Sequence, residues 1–198
     1  MTATPSPERR RAIMDAAAPL LARNGIAKTT VRMIADEIGL LSGSLYHYFD
    51  SKDAIVNAIV GEYLEVLVDR YGREVTPVSD AQAKFHALVS VSLEVCHSFS
   101  SASEIYQGNR HFFADSRGYA EIRDLASEVQ KVWFDTIDSG VAAGAFRGDV
   151  DAGVFYRFAR DAVFLSTRWF VPSEDRTLAD LARDTVEIMI SGFRQPAS

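Results

Sequence analysis

The stretch LSGSLYHYF, residues 41–49, is short, polar and marked by a glycine. Its apolar residues Leu45 and Phe49 lie four positions apart, so they occupy one face of a helix. Another short helical pattern lies just before this stretch, separated from it by a very short link. A longer helical pattern comes before both. This arrangement is typical of a helix-turn-helix unit. We therefore expect the stretch to be the helix that such a unit inserts into the major groove of DNA.

Most side chains of this stretch other than the packing residues Leu45 and Phe49 carry hydrogen-bonding groups. Hydroxyl and imidazole groups bond base edges or phosphates, and Gly43 lets the helix backbone approach DNA closely. A phosphate is also expected at the helix that starts with Lys52, although a solvated lysine balanced by Asp53 explains that residue equally well. The predicted DNA contacts are Thr29, Thr30, Arg32, Ser42, Gly43, Ser44, Tyr46, His47, Tyr48 and Lys52.

The charge distribution agrees with DNA binding at one end of the chain. The net charge of −6 alone argues against a polyanionic partner. Residues 1–52, however, hold seven Lys and Arg against five acids, whereas the rest of the chain holds 14 against 22. A mildly basic head on an acidic body suits a protein that contacts an anion at its head only.

The composition, 47% apolar and 24% charged, is that of an ordinary globular protein. No apolar run reaches the roughly 18 residues of a membrane span, and the N-terminal segment does not resemble a secretory signal. The single cysteine, Cys96, excludes an internal disulfide and fits a reducing compartment. We therefore expect a cytoplasmic location, no membrane partner and no cofactor.

Apolar residues recur at helical spacing through nearly every long segment, so the chain is predicted to be all-α. Residues 1–51 form the predicted three-helix helix-turn-helix head, and residues 52–198 form a helical body. The expected helices after the recognition stretch are Lys52–Arg73, Ala81–Ser98, Ser103–Phe113, Arg117–Val141, a helix from Asp149 or Asp151 to Phe170, and a last helix that Thr177 opens with Asp180 in capping-box spacing.

A candidate ligand site lies on the helix that ends near Phe170. Its arginines stand among apolar residues, and a buried charge needs a partner. Asp161, solvent or a second subunit can supply that partner, or Arg160 can bind an anionic ligand whose apolar part packs on Phe164. A large amphipathic acid would fit. The predicted ligand contacts are Tyr106, Trp133, Arg157, Arg160 and Phe164.

The last two helices are predicted to form a homodimer interface. One short recognition helix gives little specificity, whereas a twofold protein reads two half-sites about 34–36 Å apart. Both helices have apolar residues on more than one side, although burial of both in a monomer is the simpler alternative. The predicted interface residues are Phe155, Trp169, Leu181, Ile188 and Met189.

Arg10–Ile55 resembles the DNA-binding head of the TetR family of transcriptional regulators. The resemblance rests on an AA-x-x-L stripe, then NG, TTVR, IA, G, G-x-LY-x-x-F and SK. It implies an inverted-repeat operator on double-stranded DNA and a variable, ligand-sensing body that dimerises. Leu41 departs from the family pattern because a serine usually caps the recognition helix there, so Ser42 is expected to take the cap.

A narrower resemblance extends into the body. LLSGSLYHYF, IYQ (Ile105–Gln107), FRGDVD (Phe146–Asp151), YRFARD (Tyr156–Asp161) and RWFVP (Arg168–Pro172) are similar to actinobacterial TetR-type repressors of steroid-ring degradation. Those repressors respond to coenzyme A thioesters of ring fragments. The resemblance implies a repressor that an acyl-CoA thioester releases from DNA.

Three other functions fit the sequence less well. An enzyme is not expected, because the sequence holds no nucleophile elbow, phosphate loop or helical pair of metal ligands. A metal-responsive regulator would have to use His86, His97 and His111, which lack helical ligand spacing. A helical protein-interaction module without an effector is compatible with the acidic body.

Overall fold

The computed structural model describes residues 6–193, and every regular element among them is a helix. The predicted all-α fold is confirmed. These residues form two compact units, residues 6–63 with Ser101–Arg123 and Leu64–Ser100 with residues 124–193. Over the same residues, no helix combines the length and apolar character that a membrane span requires.

The first unit begins with the helix-turn-helix elements. It contains α1 (Pro7–Asn24), α2 (Val31–Glu37), α3 (Ser42–Leu45), the first part of α4 (Lys52–Arg70), α6 (Ser100–Gly108) and α7 (Arg110–Asp115). A 3-10 turn, Arg117–Tyr119, leads into α8 (Ala120–Ala142). The core of the first unit includes the fully buried residues Ile13, Leu21 and Ile34.

The second unit holds the end of α4 and most of α8. It adds a π-helical turn (Tyr71–Val75), α5 (Ala81–Ser98), α9 (Ala152–Phe164), a 3-10 turn (Ser166–Arg168) and α10 (Leu178–Phe193). Its core is aromatic. The Phe85 ring contacts the rings of Trp133 and Phe146 edge-on, with centroids 6.2 and 5.9 Å away.

Side-chain caps explain where several helices begin. Thr30 accepts the Met33 amide at the start of α2, and Ser51 accepts the Ala54 amide at the start of α4. The predicted capping box before α10 is confirmed, because the Thr177 amide donates to Asp180 and the Asp180 amide donates back to the Thr177 hydroxyl. The Thr177 amide and hydroxyl, together with the Arg183 guanidinium, donate to the Asp180 carboxylate and lower its pKa to about 2.

Several predicted boundaries differ from those observed. Regular α-helix ends at Arg70 rather than Arg73, because the chain widens into the π-helical turn. The predicted helix Ser103–Phe113 is two helices, interrupted at Asn109, whose side chain donates to the Ile105 carbonyl. The helix expected to reach Phe170 stops at Phe164 and continues only as a 3-10 turn.

The predicted domain boundary between residues 51 and 52 stays a prediction, and the two compact units are divided elsewhere. Their division falls inside α4, between Tyr63 and Leu64, and again inside α8. Each of α4 and α8 is therefore a continuous helix with residues in both units.

Candidate functional site

The turn between α2 and α3 fixes the position of the recognition helix. Gly39 lies in the left-handed region with φ of 65°, which favours glycine. The Leu40 amide then donates to the Ala35 carbonyl at 2.9 Å. Leu45 and Phe49 are both buried, as their spacing predicts. The Arg10 guanidinium lies 4.4 Å from the centre of the Phe49 ring and covers it.

The recognition helix is a single turn, Ser42–Leu45, and is followed by a hydrogen-bonded turn. The Tyr48 and Phe49 amides both donate to the Leu45 carbonyl, at 2.9 and 3.1 Å. Leu41 occupies the cap position and offers the helix no side-chain bond. The expectation that Ser42 caps α3 is wrong, because Ser42 is already its first helical residue.

Most of the predicted DNA contacts share the outer surface of this unit. Gly43, Tyr46 and His47 are exposed, and Ser42, Ser44 and Tyr48 are partly exposed. Thr30 and Arg32 are exposed at the start of α2. Arg32 forms only a long ion pair with Asp36, at 3.7 Å, so its guanidinium can still bind an anion. Together these residues form what we call the recognition surface.

Two predicted contacts have other partners. Thr29 is fully buried, and its hydroxyl donates to the Gly25 carbonyl at 2.9 Å. The Lys52 ammonium donates to the Ile26 and Thr29 carbonyls, at 2.5 and 2.9 Å. Two of its three N–H groups are therefore used inside the protein. Both side chains stabilise the loop between α1 and α2; that they also contact DNA stays a prediction.

Gly43 has no packing reason to be glycine. Apart from its chain neighbours and the backbone of its own helix, no atom of the described residues lies within 4 Å of a Cβ atom built on it, and its φ is not in the left-handed region. Glycine nevertheless weakens a helix relative to alanine. Space is therefore left on the outer side of α3, where another molecule can approach the backbone.

The predicted ligand residue Trp133 lies in the core of the second unit. It is fully buried, and its indole N–H donates to the Tyr71 hydroxyl at 3.2 Å. The Tyr71 hydroxyl in turn shares a hydrogen bond of 2.5 Å with Ser92. Burial raises the pKa of Tyr71, which stays neutral. Phe164 is buried too, with its ring centre 6.3 Å from that of Trp133.

The predicted ligand residues on α9 include one arginine with an observed partner. Arg160 pairs with Asp161 at 2.7 Å, and its side chain is only 20% exposed. Its guanidinium also lies 6.0 Å from the centre of the Tyr156 ring. Arg157 is exposed on the same helix. Asp161 therefore neutralises Arg160 here. This is one of the alternatives that the sequence left open for the partner of that arginine.

Tyr106 belongs to the other unit. Its ring stacks on Phe113 with centroids 5.8 Å apart, and the Arg110 guanidinium lies 5.5 Å from its centre. The structure therefore divides the predicted ligand set between two units, with Tyr106 in the first and the other four residues in the second.

The predicted dimer residues fall into two groups. Ile188 and Trp169 are 76% and 64% exposed, whereas Leu181 is buried inside its own unit. Phe155 and Met189 are partly buried, and the Phe155 ring lies 5.8 Å from that of Phe85. Leu181 is thus a core residue. Phe158, another apolar residue of α9, is 73% exposed.

A metal site does not form in the structure between residues 6 and 193. No three His, Cys, Asp or Glu side chains come together there as metal ligands. His97 instead hydrogen-bonds Ser166 at 3.0 Å, and burial lowers its pKa. His86 and His111 are exposed.

Sequence reasoning missed Leu41 and the Tyr71 hydroxyl group. Leu41 stood out only as a missing cap, although an apolar residue beside a polar helix is itself a signal. No sequence pattern singled out Tyr71, and its partner Ser92 lies 21 positions away, so no local pattern joins them.

Comparison with known proteins agrees with the geometry of the head. Residues 13–59 match a family described as bacterial regulatory proteins of the tetR family, and residues 78–193 match a tetracyclin repressor-like C-terminal domain. The chain is 37% identical over 189 residues to the HTH-type transcriptional repressor KstR2 of Rhodococcus jostii, covering 95% of this chain and 92% of that protein.

A second relative supports the same assignment. KstR2 of Mycobacterium tuberculosis is 33% identical over 185 residues, or 93% of this chain and 92% of its own. A solved structure titled as the ketosteroid transcriptional regulator KstR2 of that organism superposes with a TM-score of 0.87 at 31% identity, over 99% of this chain and all of the other. Regulators of this family bind operator DNA and small effectors and act as dimers. The chain therefore belongs to the TetR family of ligand-responsive, DNA-binding transcriptional regulators and is not an enzyme.

Proposed function

We propose that this regulator represses genes of steroid-ring breakdown and leaves an inverted-repeat operator when it binds an acyl-CoA thioester. Both KstR2 relatives are named as HTH-type transcriptional repressors, and one solved structure is titled as a ketosteroid transcriptional regulator. The observation that carries the DNA-binding part is the recognition surface, where Gly43, Tyr46 and His47 are exposed around a helix held by buried Leu45.

The recognition surface contains groups for two kinds of DNA contact. Arg32 and Thr30 suit phosphates, which position a protein on the duplex without reading its sequence. Tyr46, His47 and Ser44 lie on or beside α3 and suit base edges. Gly43 lets the α3 backbone approach the groove, because a side chain there would fill space that the protein leaves empty.

A twofold dimer would present two such surfaces to two half-sites. The exposed apolar residues Val154 and Phe158 lie four positions apart on α9, so they share one face. Ile188 on α10 is also exposed. Exposed apolar side chains on neighbouring helices favour association with a second copy. We propose that these residues, together with Trp169 and Met189, form the dimer interface.

The effector site is proposed at Arg160. Its guanidinium lies at the edge of the aromatic core, near Tyr156 and on the same helix as Phe164. Arginine binds phosphate oxygens in pairs, and the CoA part of a thioester carries several phosphates. Asp161 holds Arg160 in the structure. An anionic ligand would replace Asp161 as the partner.

Release from DNA is proposed to act through α4. This helix starts one residue after Ser51, close in sequence to α3, and its other end continues into the π-helical turn at Tyr71. Tyr71 is bonded to Trp133 and Ser92, so a rearrangement of that core changes the end of α4. A ligand shifts the equilibrium only by its different affinity for the two arrangements.

A release assay tests the effector. Operator complexes of the wild type, Arg160→Met and Arg147→Met are mixed with a steroid-derived acid or with its CoA thioester. Arg147 is a matched control because it also pairs with a nearby acid, Asp149, in the same unit. We expect the thioester, but not the free acid, to release the wild type and Arg147→Met from DNA. Release of Arg160→Met should need about tenfold or more thioester, because the variant loses a charge-assisted contact with the ligand.

Asp161→Asn makes the test sharper. If Asp161 competes with the effector for Arg160, its removal lowers the thioester concentration needed for release. Release by the free acid alone, or equal thioester sensitivity of Arg160→Met and the wild type, contradicts the proposed site.

A further inference from the structure

Leu41 is an apolar residue whose side chain is neither buried in the core nor able to cap α3. It is 81% exposed, among the most exposed of the large apolar residues. It also occupies the cap position of α3, where leucine ranks far below serine, threonine and aspartate because it cannot accept a backbone N–H. The side chain therefore contributes neither to burial nor to capping.

We propose that Leu41 packs against the 5-methyl group of a thymine in each operator half-site and thereby determines which base is accepted there. This proposal rests on the proposed DNA-reading role of the recognition surface and adds one specificity-determining residue to it.

The position of Leu41 is fixed by backbone hydrogen bonds on both sides. The Leu40 amide donates to the Ala35 carbonyl, and the Leu41 carbonyl accepts the Ser44 amide at 2.9 Å. Leu41 itself is extended, with φ of −70° and ψ of 137°. Its side chain therefore projects from a rigid point, and binding a base would cost little backbone entropy.

The location restricts what Leu41 can bind. Residues at the N-terminal end of a recognition helix contact base edges in the major groove. The edges of unmodified bases there offer hydrogen-bonding groups and one methyl group, that of thymine. The leucine side chain has no hydrogen-bonding group. If it packed against a polar base atom, it would displace the water bound there and leave that atom without a hydrogen bond. The thymine methyl is the partner that matches its chemistry.

The size of the effect follows from the area concerned. Burial of one methyl group is worth about a fourfold change in affinity, so replacement in both half-sites changes dimer binding about fifteenfold. This effect is large enough to measure by titration and too small to abolish binding.

The experiment removes the methyl group from the DNA and leucine from the protein. Duplexes that the wild type enriches from a random pool are resynthesised with deoxyuridine in place of each thymine in turn. Deoxyuridine lacks only the methyl group, so hydrogen bonding is unchanged. We expect wild-type affinity to fall about fourfold per half-site at one thymine position.

Two variants identify the residue. Leu41→Ser supplies a helix cap, so α3 keeps its stability, but it lacks the apolar surface. It should bind the thymine duplex as weakly as the wild type binds the deoxyuridine duplex, and it should not distinguish the two. Leu41→Met keeps the apolar contact and should keep most of the discrimination. Circular dichroism confirms that each variant is folded.

The outcomes separate this proposal from the one on which it rests. Enrichment of no duplex would contradict DNA reading itself and this proposal with it. If an enriched duplex shows no sensitive thymine, or if Leu41→Ser keeps the wild-type discrimination at that thymine, then the contact with Leu41 is wrong although DNA binding stands.

Discussion

The Lys52 ammonium donates a hydrogen bond of 2.9 Å to the carbonyl oxygen of Thr29 and another to Ile26. It thus ties the first turn of α4 to the loop that leads into α2. The loop carbonyls are satisfied by a side chain, because no helix or strand supplies their donors. A lysine expected at a DNA phosphate is thus part of the framework that holds the recognition surface.

Removal of this tie should therefore act on stability first. Lys52→Met leaves two partly buried carbonyls without a donor, and we expect the free energy of unfolding to fall by about 1–3 kcal/mol. Urea unfolding measures this loss. DNA affinity should fall alike for all sequences, with no change in the salt dependence. Lys28→Met is the control, because Lys28 is exposed in the same loop. If Lys52→Met instead lowers the salt dependence of DNA binding by about one unit of slope, Lys52 contacts a phosphate.

Gly43→Ala should change stability and DNA binding in opposite directions. Alanine is the better helix former by up to about 1 kcal/mol, and no described atom obstructs its Cβ, so the protein should become slightly more stable. If DNA approaches this face, the added methyl group weakens operator binding. Thermal unfolding and a DNA titration measure the two effects. Gly118→Ala also meets no atom within 4 Å and should leave DNA binding unchanged; unchanged operator affinity of Gly43→Ala would place DNA elsewhere.

Tyr46 and His47 should determine sequence preference, unlike the residues that contact phosphate. Tyr46→Ala or His47→Ala should remove discrimination of about 1–3 kcal/mol at one base pair of the operator while other positions are still read. Arg32→Ala should weaken binding to all sequences alike and lower the salt slope by about one unit. Binding to a set of single-base-pair operator variants separates the two patterns. Wild-type selectivity in both Tyr46→Ala and His47→Ala would mean that α3 is not the reading helix.

A charge on the exposed face of α9 and α10 should separate the dimer. Phe158→Glu and Ile188→Glu place carboxylates where apolar contact is proposed, and burial of an unpaired charge costs several kcal/mol. Light scattering at micromolar concentration should give a dimer mass for the wild type and a monomer mass for the variants. Tyr46→Glu adds the same charge in the head and should remain dimeric. A monomeric wild type under these conditions would contradict the proposed interface.

The fold of the head could be predicted because its signals are local. The four-residue spacing of Leu45 and Phe49, the glycine at the turn and the caps at Thr30 and Ser51 each depend on neighbours within one helical turn. The capping box of Thr177 and Asp180 is of the same kind. Such features follow from residue type and position alone.

The partners of the candidate site residues could be predicted less well, because they lie far away in sequence or in the backbone. Lys52 bonds carbonyls 23 and 26 positions earlier, and every residue type offers a carbonyl. Thr29 resembles an exposed polar residue until the loop folds over it. Trp133 looked like a cavity wall, yet its N–H has a buried partner 62 positions away in Tyr71. Only Asp161 could be named in advance as a partner of Arg160, because it is adjacent.

Thermodynamic linkage between effector and operator tests the central claim most directly. Effector affinity is measured by calorimetry for the free protein and for the operator complex, and operator affinity is measured with and without saturating effector. Because the two binding steps close one thermodynamic cycle, the two factors must be equal for any mechanism, and a ligand-responsive regulator is expected to show a factor between about 5 and 150. We predict equal factors, each larger than five. Equal effector affinity for free and operator-bound protein would contradict the account.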